Sequence, residues 1–250
     1  MELNESEYVP ALEAVENPGW KRTLDVLFIL LALPFLIPLA LFIPLLIRSV
    51  SAGPVLFVQD RVGYRGRRFR CFKFRTMHVN ADTATHAEHL QQLMKSNTPM
   101  EKMDSQGDDR IIPLGVWLRA SGLDELPQLI NVWRGEMSLV GPRPCLPYEY
   151  DLYQPWQKQR FGTVPGLTGL WQVNGKNRTT FVEMIHMDIQ YVKSRSPWCD
   201  VKIILLTVPA VAMQVLETRL KSPARPGQST AGNDVKSFPS PAYAARGLES

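Results

Sequence analysis

The sequence predicts an α+β fold: a mostly helical domain with one small β-hairpin, membrane-anchored by an N-terminal re-entrant helix and by interfacial helices. Three observations carry that expectation. Val26–Ile47 is a long uncharged apolar run broken by Pro34, Pro38 and Pro44. Two strand-like stretches flank Gly63–Gly66. Apolar residues then recur at helical spacing around Leu114–Leu118 and Leu126–Trp133.

The chain of 250 residues divides into a polar segment (1–20), the membrane hairpin (21–50), one domain with its own core (51–216) and a tail (217–250) rich in Ser, Pro, Gly and Ala that reads as disordered. The apolar run is not a cleavable signal, because a polar stretch precedes it and no small-residue cleavage site follows. As a straight helix it would measure about 33 Å, enough to cross a bilayer core. Its prolines favour kinks, and Pro38 leaves two halves too short to cross alone. Both flanks are basic, with Lys21 and Arg22 before it and Arg48 after it, so the positive-inside rule draws both ends to one side. A helix that enters one leaflet, bends near Ile37–Pro38 and returns satisfies both facts. A proline-kinked spanning helix stays open. Asp25, at the boundary, is expected to pair with Lys21 or Arg22.

Val55–Val62 and Arg68–Thr76 form the expected hairpin. Phe72 and Phe74 alternate with Lys73 and Arg75, so the basic pair should share one face. Thr83–Lys95 reads as an exposed helix and Ser96–Asp109 as a polar loop. Leu114, Trp117 and Leu118 predict a short helix ending near Gly122. A second helix should start at Asp124, with Leu126, Leu129, Ile130 and Trp133 as its apolar stripe; Pro127 is tolerated in a first turn. After the Gly-rich segment Gly162–Asn177, a helix is expected from Phe181 to Lys193. Val201–Leu216, interrupted by Pro209, is expected to lie on the membrane as an interfacial helix.

The net charge of +4 is mild, but Arg61, Arg65, Arg67, Arg68, Arg70, Lys73 and Arg75 cluster with no acid among them. Such a cluster suits an anionic partner or forms a solvated face. Three cysteines (Cys71, Cys145, Cys199) without a Cys-x-x-Cys pattern argue against a disulfide framework or a zinc site and fit a reducing compartment.

Two places carry candidate chemistry. Asp124 and Glu125 at a helix start serve capping and the helix dipole. They equally serve phosphate chemistry, where one ionised carboxylate attacks phosphorus and its neighbour holds Mg²⁺. Arg143, between Pro142 and Pro144, is stiffened on both sides and suits bidentate phosphate binding; a structural turn explains it as well.

Six motifs in order carry a resemblance: Lys21-Arg-x-x-Asp25, Lys73–Met77 (KFRTM), Leu123–Gln128 (LDELPQ), Met137–Pro144 (MSLVGPRP), Pro165–Gly175 (PGLTGLWQVNG) and Asp188–Val192 (DIQYV). Over about residues 20–210 the chain resembles the bacterial sugar transferases, the monotopic phosphoglycosyl transferase family, in its minimal form. The resemblance implies a membrane-bound, Mg²⁺-dependent enzyme of the bacterial inner (cytoplasmic) membrane whose catalytic domain faces the cytoplasm. It would initiate glycan synthesis by moving a sugar-1-phosphate from a UDP-sugar donor to polyprenyl (undecaprenyl) phosphate, with release of UMP. By the same resemblance Asp124 is the nucleophile of an aspartyl-phosphosugar intermediate and Glu125 the magnesium ligand. Arg143 binds phosphate, and Lys73, Arg75 and Asp188 contact substrate or assemble the site. Gln172 and Asn174 match a motif without an assigned role. Membrane lipid is an implied partner, and a homo-oligomer and downstream glycosyltransferases are compatible with the family.

The rivals lack their own marks. A soluble Rossmann-like glycosyltransferase needs alternating strands and helices. A multispanning transferase needs further hydrophobic segments. A membrane-tethered nucleic-acid or anion-binding scaffold would use the Arg61–Arg75 cluster, but no binding module accompanies it, and no nucleic-acid partner is expected.

Overall fold

The computed structural model describes residues 17–79, 94, 98–99, 110–175 and 179–221. The helix expected over Thr83–Lys95 and the loop expected over Ser96–Asp109 fall almost entirely outside these residues, as does the tail beyond Lys221.

Helix α1 (Gly19–Val50) runs through Pro34, Pro38 and Pro44 as one element. Its two ends are buried and its middle is bare. Lys21, Asp25 and Ile29 near the start, and Ile43 and Ile47 near the end, are covered by the rest of the chain. Leu30, Leu31, Phe35, Ile37, Leu41 and Phe42 are exposed. Ile29 packs with Cys71, Val132 and Met137. Ile43 and Ile47 pack with Phe74, Ile112 and Leu118. One helix thus enters two separate cores of the same domain.

The hairpin forms as its alternation dictates. Strands β1 (Leu56–Val62) and β2 (Arg68–Phe74) pair antiparallel from Leu56↔Phe74 to Val62↔Arg68. The turn between them needs left-handed backbone at Arg65 (φ 55°) and Gly66 (φ 72°). Helix α2 (Gly115–Ser121) ends at Gly122, whose φ of 71° gives the left-handed stop that glycine adopts freely.

The next helix does not start at Asp124. Leu123–Glu125 is a 3-10 turn, closed by Glu125 N–H to Gly122 O at 3.0 Å. Helix α3 begins only at Gln128 and ends at Arg134. Pro127 explains the delay: it has no N–H to bond Leu123 O, so α-helical pairing cannot begin before it. The expected stripe also differs. Gln128, Asn131 and Val132 are buried, whereas Ile130 and Trp133 are 45% and 55% exposed. Asn131 sets this rotation. Its Oδ1 accepts from Phe72 N–H at 3.2 Å, and its Nδ2 donates to Arg70 O at 2.7 Å, which pins α3 to β2.

Past α3 the chain forms β3 (Ser138–Val140) and α4 (Pro147–Leu152), followed by β4 (Gly166–Thr168), which lies parallel to β3. Then come α5 (Leu170–Val173) and α6 (Phe181–Ser194), the latter opened by a capping box between Thr180 and Glu183. Phe161, Trp171, Phe181, Met184 and Ile185 make the core around α6, with Val62 and Cys145 joining it from the hairpin side. Helix α7 (Pro197–Lys221) is long and outward-facing, exposing Leu205, Val208, Met213, Leu216 and Leu220. Both α1 and α7 are long and apolar enough to cross a membrane.

Candidate active site

Asp124 is buried in its 3-10 turn, and Glu125 beside it is about one-third exposed. Lys73 Nζ reaches Glu125 Oε1 at 2.7 Å. The Asn131 clamp between α3 and β2 explains that contact, because it brings the acidic turn against the hairpin strand that carries Lys73. An ammonium beside a carboxylate at a partly open surface can exchange partners with an incoming anion.

Arg143 is fixed through its backbone from three sides. On one, Gly141 N–H bonds Thr168 O at 2.9 Å and Gly166 N–H bonds Pro142 O at 2.9 Å. On the second, Val62 N–H bonds Cys145 O at 2.8 Å. On the third, Arg160 Nη2 donates to Arg143 O at 2.9 Å. A Cβ on Gly166 would collide with the backbone of Gly141, so a glycine is needed for the two loops to meet. The guanidinium therefore projects from a braced loop.

Asp188 lies under this loop. It is buried and forms an ion pair with Arg160, itself 1% exposed. Burial opposes the charge of Arg160, but Asp188, then Tyr153, Cys145 and Glu149, together outweigh it and push the guanidinium up from its ordinary value, so it stays ionised. Arg160 Nη1 also donates to Tyr153 Oη at 2.8 Å. The chain Asp188–Arg160–Arg143 O thus links α6 to the Gly-Pro-Arg-Pro loop. Arg160 belongs to none of the six motifs, and only its place in the sequence before a buried aromatic, Phe161, hinted at it.

Arg61 sits nearby, donating from Nη1 to Pro144 O at 3.2 Å. Burial, then the neighbouring Arg143, push its guanidinium down from the ordinary value. Buried Glu149 acts in the opposite sense. The thiol of Cys71, raised by burial, feels Lys73, Arg61, Glu125 and Arg143, so the acidic pair and the arginine lie around one strand, β2.

The basic cluster is not a single face. Arg61 and Arg75 are buried. Arg75 does not join Lys73 at the acidic turn: its Nε donates to Pro54 O at 2.6 Å, and its Nη1 and Nη2 donate to Ser51 Oγ and Ser51 O at 3.0 and 2.9 Å. It ties the exit of α1 to the hairpin. Asp25 pairs with neither Lys21 nor Arg22. Its Oδ1 accepts from Ser138 Oγ and Leu139 N–H, both at 2.9 Å, while Lys21 turns to Asp200 at 2.7 Å. Gln172 Nε2 donates to Leu167 O at 3.0 Å and Asn174 Nδ2 to Leu170 O at 2.9 Å, bracing the segment that holds Gly141. A cavity of about 200 Å³ opens beside the acidic turn, lined by Leu46 of α1, Trp117 and Leu118 of α2, Leu123 of the turn itself, and Val215 of α7.

An acidic turn with its lysine and a braced arginine loop thus sit on an α+β domain that carries two long apolar helices. The chain belongs to the bacterial sugar transferase family, whose model matches residues 16–214. It is 39% identical over 198 residues to the exopolysaccharide production protein ExoY of Sinorhizobium fredii, covering 77% of this chain and 85% of that one. It is 41% identical over 199 residues to the UDP-glucose:undecaprenyl-phosphate glucose-1-phosphate transferase of Caulobacter vibrioides, covering 76% of this chain and 69% of the relative. With the galactosyl transferase CpsE of Streptococcus agalactiae the identity is 42% over 195 residues, 77% of this chain but 42% of CpsE.

Proposed function

We propose that the protein is a membrane-bound phosphoglycosyl transferase that moves a sugar-1-phosphate from a UDP-sugar to polyprenyl phosphate, with undecaprenyl phosphate the expected acceptor and UMP the leaving product. The reaction would be the first membrane step in building an exopolysaccharide or related glycan. The observation that carries this reading is buried Asp124 beside the Lys73–Glu125 pair, with a braced arginine loop across β2. The activity of the Caulobacter relative, glucose-1-phosphate transfer from UDP-glucose to undecaprenyl phosphate, supports it.

A carboxylate oxygen of Asp124 attacks the phosphorus that bears the sugar. The bond from that phosphorus to the UMP oxygen breaks, and UMP departs with the electron pair. An oxygen of polyprenyl phosphate then attacks the same phosphorus, the bond to Asp124 breaks, and the carboxylate is restored. Arg143 binds the phosphate oxygens, and its braced backbone holds that charge where it is needed without reorganisation. Lys73 orients Glu125 and adds positive charge. Asp188 assembles the site through Arg160, and Arg75 does so through Ser51 and Pro54.

Magnesium is commonly held by one or two carboxylates together with substrate phosphates. Glu125, about one-third exposed next to Asp124, fits that mode and would hold the ion. When bound it offsets the repulsion between carboxylate and diphosphate.

Helix α1 reads as re-entrant, with the site at the cytoplasmic face of the bacterial inner membrane and α7 lying along the interface. The burial of both α1 ends in one domain supports this topology. The apolar cavity beside Leu123 is the place for the first isoprenoid units of the acceptor. A cavity of about 150 Å³ takes a benzene-sized molecule, so this one has room for a five-carbon unit or more.

Membranes carrying the protein, supplied with undecaprenyl phosphate, Mg²⁺ and a broad panel of UDP-sugars, should release UMP with at least one donor. Asp124→Asn should abolish that release while the protein remains folded in the membrane. Wild-type rates in Asp124→Asn would remove Asp124 as the nucleophile.

A further inference from the structure

One turn of α1, from Lys21 to Asp25, touches both segments that carry the site. Arg22 places its fork on the last carbonyls of α3, donating from Nη1 to Val132 O and from Nη2 to Trp133 O. Helix α3 follows directly from the Asp124–Glu125 turn. Asp25 Oδ1 accepts from Ser138 Oγ and Leu139 N–H. Lys21 Nζ donates to Val140 O at 2.7 Å. Ser138, Leu139 and Val140 are strand β3, and Gly141-Pro142-Arg143 continues from it without a break.

Lys21 is anchored in turn. Its Nζ bonds Asp200 Oδ2 and Tyr191 Oη, each at 2.7 Å, and Tyr191 Oη donates to Asp200 Oδ1 at 2.7 Å. The ammonium is 2% exposed and has three acceptors for three protons, so its position is fully determined. Hydrogen bonds of this kind are directional, and in a buried setting breaking one leaves an orphaned partner.

We propose that this turn is the spacer that sets the distance between the carboxylate of Asp124 and the guanidinium of Arg143, with Lys21, Arg22 and Asp25 as positioning residues. Arg22 fixes the α3 side, and Lys21 with Asp25 fixes the β3 side. Because the three belong to one rigid helical turn, the two halves of the site cannot shift independently. The same turn leads into the apolar part of α1. Seating that helix in lipid and aligning the two halves of the site therefore become one event. This inference rests on the phosphoglycosyl transferase reading above.

The test is a double-mutant cycle between Lys21 and Arg143, read as the single-turnover rate of aspartyl-adduct formation from labelled UDP-sugar. Lys21→Met should slow the adduct step about tenfold or more, because small misplacements of a charge-stabilising group are costly. In an Arg143→Lys background the same Lys21→Met change should cost within about twofold, since a flexible ammonium follows a displaced loop where a braced fork cannot. A residue that only stabilises the fold would lower both backgrounds equally. Equal losses in the two backgrounds would therefore overturn the proposal. If Lys21→Met does not accumulate, Asp25→Asn, which keeps an acceptor oxygen but loses the charge, enters the same cycle with the same two outcomes. A wild-type protein that forms no adduct with any donor would instead refute the transferase reading itself, so the two failures are distinct.

Discussion

A buried guanidinium needs a counter-charge, and for Arg160 that charge is Asp188. Asp188→Asn keeps the shape and removes the charge, leaving a cation in the core. Such a change typically costs about 3–5 kcal/mol, and thermal denaturation of the purified protein should show a large fall in Tm. Because Arg160 also holds Arg143 O, adduct formation should fall with it even below the melting transition. The double replacement Asp188→Leu with Arg160→Met should recover stability without recovering activity. Cys145 offers a second residue-scale test. Burial pushes its thiol up to about 12 from the ordinary 9.0. Between these values the unfolded chain releases the proton and the folded protein keeps it, so stability falls as pH rises through that window, by about 1.4 kcal/mol per unit from this group. Denaturant unfolding at pH 8 and pH 10.5 should show a steeper loss in wild type than in Cys145→Ala.

At the scale of elements, short-range patterning told most of the story, and long-range pairing supplied what it missed. The hairpin was legible because alternation and a Gly-rich turn are local signals, and the observed strands (56–62 and 68–74) lie inside the expected ones. Helix α6 was legible from its period. The stripe on α3 was not, because Asn131, a polar residue, sets the rotation by bonding the β2 backbone across some sixty residues. Strands β3 and β4 are three residues each, too short to show a period, and they exist only as a pair. The glycines at their junction carry a consequence. Gly166→Ala places a methyl group into the Gly141 backbone, so the Arg143 loop must move. The variant should still bind membranes, but its donor KM should rise and its adduct rate fall by about a hundredfold, read in the same single-turnover assay. Of the site residues, Lys73 meets Glu125, a contact between distant motifs that spacing alone does not show. Arg75 went to the α1 exit, because its guanidinium finds Ser51 and Pro54 within reach.

For the whole molecule the decisive question is which side of the membrane each end of α1 occupies. A helix that crosses a bilayer puts about 30 Å of hydrocarbon between its flanks. Here Thr163 Oγ1 donates to Asn17 Oδ1 at 2.9 Å just before the helix, and Arg75 holds Ser51 just after it. Thr163 and Arg75 belong to one folded unit, joined through the hairpin and the Arg143 loop. A crossing would have to strip one flank of its buried partners, leaving either Lys21 and Asp25 or Arg75 with polar groups unsatisfied, at a few kcal/mol for each. On the proposed re-entrant topology the exposed apolar middle, from Leu30 to Leu45, lies within one leaflet. The prolines along it make that geometry accessible by weakening the helix where it must bend. Single cysteines introduced at Asn17 and at Arg67, in a background lacking the three native cysteines, should both react with a membrane-impermeant maleimide in inside-out vesicles and both be protected in intact cells. Protection of one and labelling of the other in the same preparation would mean that α1 spans, and would carry its first turn away from both halves of the site.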